Sequence, residues 1–129
     1  MSTFVIAVAG GFFVLMVGMN LFVRMQARKM RGQPVPAVAG ALGERLRQDS
    51  RALLYFYSPS CGACRAITPK VEQLASRSPA VTVVNVAERF DLARSFKVMA
   101  TPSFVEVADG KVVALHVGAP PADLLARFA

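Results

Sequence analysis

The sequence predicts an α/β domain with a central mixed sheet flanked by helices, preceded by one N-terminal transmembrane helix. Three observations predict it. Phe4 to Val23 is a run of 20 residues with no charge and one polar side chain, Asn20. Short apolar runs then alternate with helical segments, which implies parallel strand pairing. Asp109-Gly110 between two further apolar runs signals a hairpin and hence an antiparallel pair. A chain of 129 residues holds one small domain and a short extra segment, which excludes a multidomain enzyme. Two cysteines exclude a disulfide-rich scaffold, and 54% hydrophobic residues exclude intrinsic disorder.

Residues 4–23 reach about 30 Å as a helix, the thickness of a bilayer hydrocarbon core. A cleaved signal peptide is the competing reading. No Lys or Arg precedes the run, and it exceeds the usual apolar length of about 7–15 residues. The basic residues lie after it, at Arg24, Arg28, Lys29 and Arg31. The small-residue pattern Ala37-Val38-Ala39 falls well beyond the membrane edge. These features favour an anchor. By the positive-inside rule the N-terminus lies outside and the rest of the chain is cytoplasmic. An extracytoplasmic domain is the alternative. Ala7 and Gly11 form a small-residue pair of the kind that packs membrane helices, though such residues are common there in any case.

Residues 24–36 read as a basic, proline-containing linker, with Gly32 to Pro36 stiff enough to hold the domain of residues 37–129 near the bilayer. The net charge of +7 divides accordingly: the linker carries +4, and residues 37–129 hold 11 basic and 8 acidic side chains. The linker cluster suits anionic lipid head groups. No basic-aromatic stripe points to nucleic acid.

Within the domain, Ala41 to Gln48 is weakly helical. Ala52 to Tyr57 is a nearly continuous apolar run, as in a strand buried on both faces. Ser58-Pro59-Ser60 breaks it. A helix is expected from about Cys61 to Arg77, with apolar positions at Ile67, Val71, Leu74 and Ala75 and a kink at Pro69. A second buried strand spans Ala80 to Val86, and a short amphipathic helix spans Glu88 to Phe96. Strands at Ser103 to Ala108 and Lys111 to Val117 flank the Asp109-Gly110 turn. A closing helix is expected over Ala122 to Phe128, after Pro120 and Pro121.

Cys61-Gly62-Ala63-Cys64 falls where a buried strand ends and a helix begins. Unsatisfied amides and the helix dipole stabilise a thiolate at the first position, and the second lies close enough to close a disulfide. A lowered pKa makes Cys61 the attacking sulfur, with Cys64 resolving the mixed disulfide and Arg65 adding positive charge nearby. Zinc would need further ligands, and the only other soft ligand is His116, far along the chain; a four-cysteine metal bridge between two chains is the remaining metal reading. Haem attachment requires His where Arg65 stands. No metal is expected.

With these residues in place the chain resembles the thioredoxin family over about residues 41–129. Phe56 matches the strand aromatic before the motif, and Pro69 the kinking proline eight residues after Cys61. Asn85 ends the next strand, Thr101-Pro102 matches the cis-proline, and Gly110 and Gly118 match the hairpin glycine and the glycine before the last helix. The resemblance implies a thioredoxin-like fold. It also implies that Cys61 is the nucleophile and Cys64 the resolving thiol. Ser60, Gly62, Ala63, Thr101 and Pro102 would then bind substrate, the backbone of Thr101 pairing with an extended segment. Partners would be protein disulfides and a thiol reductase or other electron donor.

Departures from the family are specific. Ser60 replaces a tryptophan, and Ala63 a proline. The family's buried aspartate, six residues before the first cysteine, is Tyr55, and its lysine partner is Val83. A tyrosine with an ordinary pKa of about 10 is a poor base at neutral pH. Glu106 is a candidate for that work, although a solvent-facing residue is the simpler reading. His116 reads as a strand residue on a half-exposed face, and Met99 as an apolar neighbour of the substrate groove. No nucleotide-binding glycine motif is present, so no flavin or nicotinamide is expected. The expected activity is membrane-tethered thiol-disulfide exchange that reduces partner proteins. The alternatives are extracytoplasmic exchange or electron delivery, and a non-catalytic binding module on the same scaffold.

Overall fold

A computed structural model describes residues 1–129. The first helix, α1, spans Ser2–Met30, so it runs seven residues past the end of the uncharged segment. Residues 24–30 contain no Gly or Pro, and Arg28 and Lys29 in the last turn suit the negative helix end. Most of its apolar segment is exposed: Phe12 and Phe13 are 63% and 68% exposed. Ala27 and Met30 are buried against the domain. The expected linker is therefore partly helix and partly sheet edge. The Gly32 amide donates to the Val112 carbonyl (2.7 Å), the Val112 amide to Gln33 (2.8 Å), and the Val35 amide to Gly110 (2.9 Å). This segment covers the outer edge of the sheet, which would otherwise offer unpaired backbone.

Helix α2 (Gly40–Gln48) precedes β1 (Ala52–Tyr57). β1 is the centre of the sheet, buried on both faces, which explains its unbroken apolar sequence. It pairs in parallel with β2 (Val81–Asn85), and antiparallel with β3 (Ser103–Ala108). β3 pairs antiparallel with β4 (Lys111–Val117), giving the order β2-β1-β3-β4. The register slips by one residue between Glu106 and Val107. Asp109 (φ 51°) and Gly110 (φ 75°) both take the left-handed conformation that a two-residue hairpin turn requires.

Helix α3 (Cys64–Arg77) lies on one face, its Val71 and Leu74 in one cluster with Leu53, Tyr55 and Phe104. Helix α4 (Phe90–Ser95) lies on the other, where Leu54, Phe56, Val84, Leu92 and Phe96 pack with Met30 of α1. Within the domain, three helices differ from expectation by more than one residue. α3 begins at Cys64 rather than Cys61, because the Cys61 amide is taken by the preceding turn. α4 is shorter than Glu88 to Phe96, because the amides of Glu88 and Arg89 turn back to the Asn85 carbonyl. The closing helix over Ala122 to Phe128 reduces to turns and one 3-10 turn, Ala126–Phe128. Leu124 and Phe128 are held there by burial on the α3 face.

Candidate active site

Ser58, Pro59 and Ser60 carry the chain out of β1. The Ser58 carbonyl accepts the Cys61 amide at 3.1 Å, and the Ser58 and Ser60 hydroxyls are 3.0 Å apart. Gly62 and Ala63 are exposed on the turn that follows. Cys61 and Cys64 form a disulfide with Cα atoms 5.4 Å apart. No side-chain oxygen caps α3. The first amide of the helix, that of Cys64, donates to Cys61 Sγ at 3.3 Å. A sulfur thus takes the place of an N-cap oxygen, where the free amides and helix dipole favour negative charge. The two sulfurs differ in access: Cys61 is half-buried, whereas Cys64 is 2% exposed.

The loop before β3 closes the site. Thr101–Pro102 is cis, and the Thr101 carbonyl oxygen lies 3.5 Å from Cys61 Sγ. The Ser103 hydroxyl donates to the Ala100 carbonyl, and the Gly118 amide donates to the Pro102 carbonyl at 2.8 Å. Pro102 is buried and Thr101 half-buried. Beside the cysteines on the α3 side is a cleft of about 270 Å³, walled by Tyr57, Pro59, Arg65, Thr68 and Pro69.

Tyr55 lies fully buried beneath this cleft, stacked on Phe104 at 4.9 Å. Its hydroxyl is 2.8 Å from Thr68 Oγ1. Burial pushes its phenol above the ordinary value, against the opposing hydrogen bond from Thr68. It therefore stays protonated at neutral pH and is no base for Cys64. Thr68 had no sequence signal beyond standing one helical turn after Cys64. Glu106 is not solvent-facing: it is 6% exposed, bonded to His116 Nε2 at 2.7 Å and Arg127 Nη1 at 2.9 Å. It pairs with Leu53, two residues farther from the motif than Tyr55, so it belongs to a structural ion cluster. His116 is half-buried in that cluster. Met99 is 51% exposed just before the Ala100–Pro102 loop.

The thioredoxin family model matches residues 35–129, most of the chain. The chain belongs to the thioredoxin family. The apolar part of α1 lies outside the matched thioredoxin region. An H-type thioredoxin of Fagopyrum esculentum is 42% identical over 86 residues, covering 64% of this chain and 74% of that protein. Thioredoxin-T of Drosophila melanogaster is 37% identical over 76 residues, covering 57% of this chain and 48% of the relative, about half its length. Oxidised mitochondrial thioredoxin 3 of Saccharomyces cerevisiae superposes with a TM-score of 0.54 at 30% identity, over 66% of this chain and 82% of that one. Family membership and the Cys61–Cys64 pair together make this chain a thiol-disulfide oxidoreductase.

Proposed function

We propose that the chain is a membrane-tethered reductant of disulfides in partner proteins, with Cys61 attacking and Cys64 resolving. The observation that carries this is the asymmetry of the pair: Cys61 is the accessible sulfur and holds the first amide of α3, whereas Cys64 is buried behind it. In the reduced protein the Cys61 thiolate attacks one sulfur of the partner disulfide, and the other partner sulfur leaves as a thiolate. Cys64 then loses its proton and attacks Cys61 Sγ. The second partner thiolate leaves, and Cys61–Cys64 becomes the disulfide. Two electrons pass to the partner, whose thiolates take up protons, and a dithiol donor restores the pair.

The free carbonyl of Thr101 beside Cys61 suits pairing with an extended substrate segment, and Ser60, Gly62, Ala63 and Pro102 form the rim such a segment meets. Membrane tethering is supported by the length and apolar exposed face of α1, and the basic residues after it favour a cytoplasmic domain.

The test uses the full chain in membranes. Cys61→Ser should abolish disulfide reduction, and Cys64→Ser should accumulate a mixed disulfide through Cys61. Retained turnover in Cys61→Ser would reject catalysis and leave the binding-module reading. A membrane-impermeant thiol reagent on intact cells should leave reduced Cys61 unlabelled; labelling without lysis would move the domain to the other side.

A further inference from the structure

Strand register fixes which end of the domain carries the redox pair. β1 ends at Tyr57, four residues before Cys61; Phe56 faces Ser103 at the start of β3, and Ser103 faces Val117 at the end of β4. The cysteines, the Thr101–Pro102 loop and Gly118 therefore share one end. The Asp109–Gly110 hairpin occupies the other.

Helix α1 runs along β4 in the opposite direction. Its C-terminal end is tied to the hairpin end through Gly32, Gln33 and Val35. Traced back toward the N-terminus, it brings Arg24 and Arg28 to the pocket that holds His116 and Val117. It then meets Ala100, Val117 and Gly118 with Met16, Met19, Asn20 and Val23, the last two turns of the apolar segment, around a cleft of about 380 Å³. The apolar segment thus leaves the domain at its redox end. Arg24 is the first charged side chain after that segment, and a charge in this position sits at the head-group layer rather than among acyl chains. Arg24 lines the same cleft as Gly118. From there the path to the sulfur is short: Gly118 is bonded to Pro102, and Thr101 touches Cys61.

We propose that the Cys61–Cys64 pair faces the bilayer surface, and that its substrate is a disulfide carried at head-group level by a second membrane-embedded protein. This rests on the tethered-oxidoreductase reading above. The lining of the cleft agrees with it: Met19, Val23, Ala100 and Val117 give an apolar wall beside the Thr101–Pro102 groove, with exposed Met99 next to it. Such a wall suits an apolar juxtamembrane segment. A bulky soluble protein would have to enter between the redox end and the lipid.

The experiment has two readouts on the full chain in vesicles of phosphatidylcholine and phosphatidylglycerol. First, a bimane label on Cys61 in Cys64→Ser is compared with one on Lys111→Cys in a chain lacking both native cysteines, using lipids spin-labelled at the head group. The Cys61 label should be quenched several-fold more; equal or weaker quenching overturns the proposed orientation. Second, two single-pass peptides carry a disulfide either at the membrane edge or on a helical spacer about 30 Å away. The near disulfide should be reduced about tenfold faster, by higher effective concentration; equal or faster reduction of the distant one overturns the substrate assignment. Reduction of soluble insulin but of neither peptide also overturns it. Failure on insulin as well, with the quenching order intact, places the fault in the oxidoreductase reading and overturns the substrate class with it.

Discussion

Tyr55 sits where thioredoxins resembling this chain place a buried acid, and its hydroxyl is committed to Thr68. Tyr55→Phe should cost about 1 kcal/mol, the usual net worth of one hydrogen bond, read from the urea midpoint. Its folded-state pKa is raised, chiefly by desolvation, so the folded protein holds that proton more tightly than the unfolded chain. The resulting stability is complete below about pH 10 and falls as pH rises through the folded value. Alkaline titration should therefore show one late phenol that Tyr55→Phe removes. Glu106→Ala should cost about 2 kcal/mol, because it leaves His116 and Arg127 without their shared carboxylate; the partial exposure of Arg127 keeps the figure below that of a fully buried cluster. The Cys61–Cys64 pairing was legible from its spacing and its strand-helix context, whereas the cis Thr101–Pro102 bond followed only from the resemblance, since Thr-Pro by itself is a turn dipeptide. Glu106 was misread because β3 is covered on both faces, and alternation along such a strand does not say which polar residue is indoors.

The strands were the most legible elements, and β1, β3 and β4 have the boundaries their apolar runs suggest. Their ends coincide with chemistry visible in the sequence: Ser58-Pro59-Ser60 after β1 and Asp109-Gly110 between β3 and β4. Helix starts were less legible because they depend on which amide finds which partner. Cys61 reads as helical by composition, yet its amide goes to Ser58. The C-terminal segment has the apolar spacing of a helix in Leu124 and Phe128, yet it forms only turns and one 3-10 turn that place both side chains in the core. Helix α2 carries a constraint of another kind. A Cβ on Gly43 would overlap the Val38 carbonyl, so the chain entering α2 passes hard against it. Gly43→Ala should cost about 1–3 kcal/mol through overpacking. Calorimetry should register roughly 4–8 °C of lost Tm per kcal/mol. Unchanged Tm would mean that the entry to α2 moves freely.

At the scale of the whole molecule, α1 and the domain share a core. Met30, the last residue of α1, is 5% exposed and packs with Val112 and the α4 face. Met30→Ala should destabilise the folded domain by about 2–4 kcal/mol, measured by urea unfolding of the detergent-solubilised chain. A loss near zero would mean that α1 merely rests on the sheet. This joint was hidden in the sequence because Arg24 to Pro36 has the composition of a spacer, and its pairing with β4 is visible only once the fold supplies an open edge. In the tethered reading, α1 passes into the domain without a swivel, so the domain keeps one tilt relative to the membrane normal. A free enzyme must match its partner in all translations and rotations at every encounter. Two proteins mounted this way in one bilayer already share a plane and an upright axis, so only lateral drift and spin about that axis are left to chance.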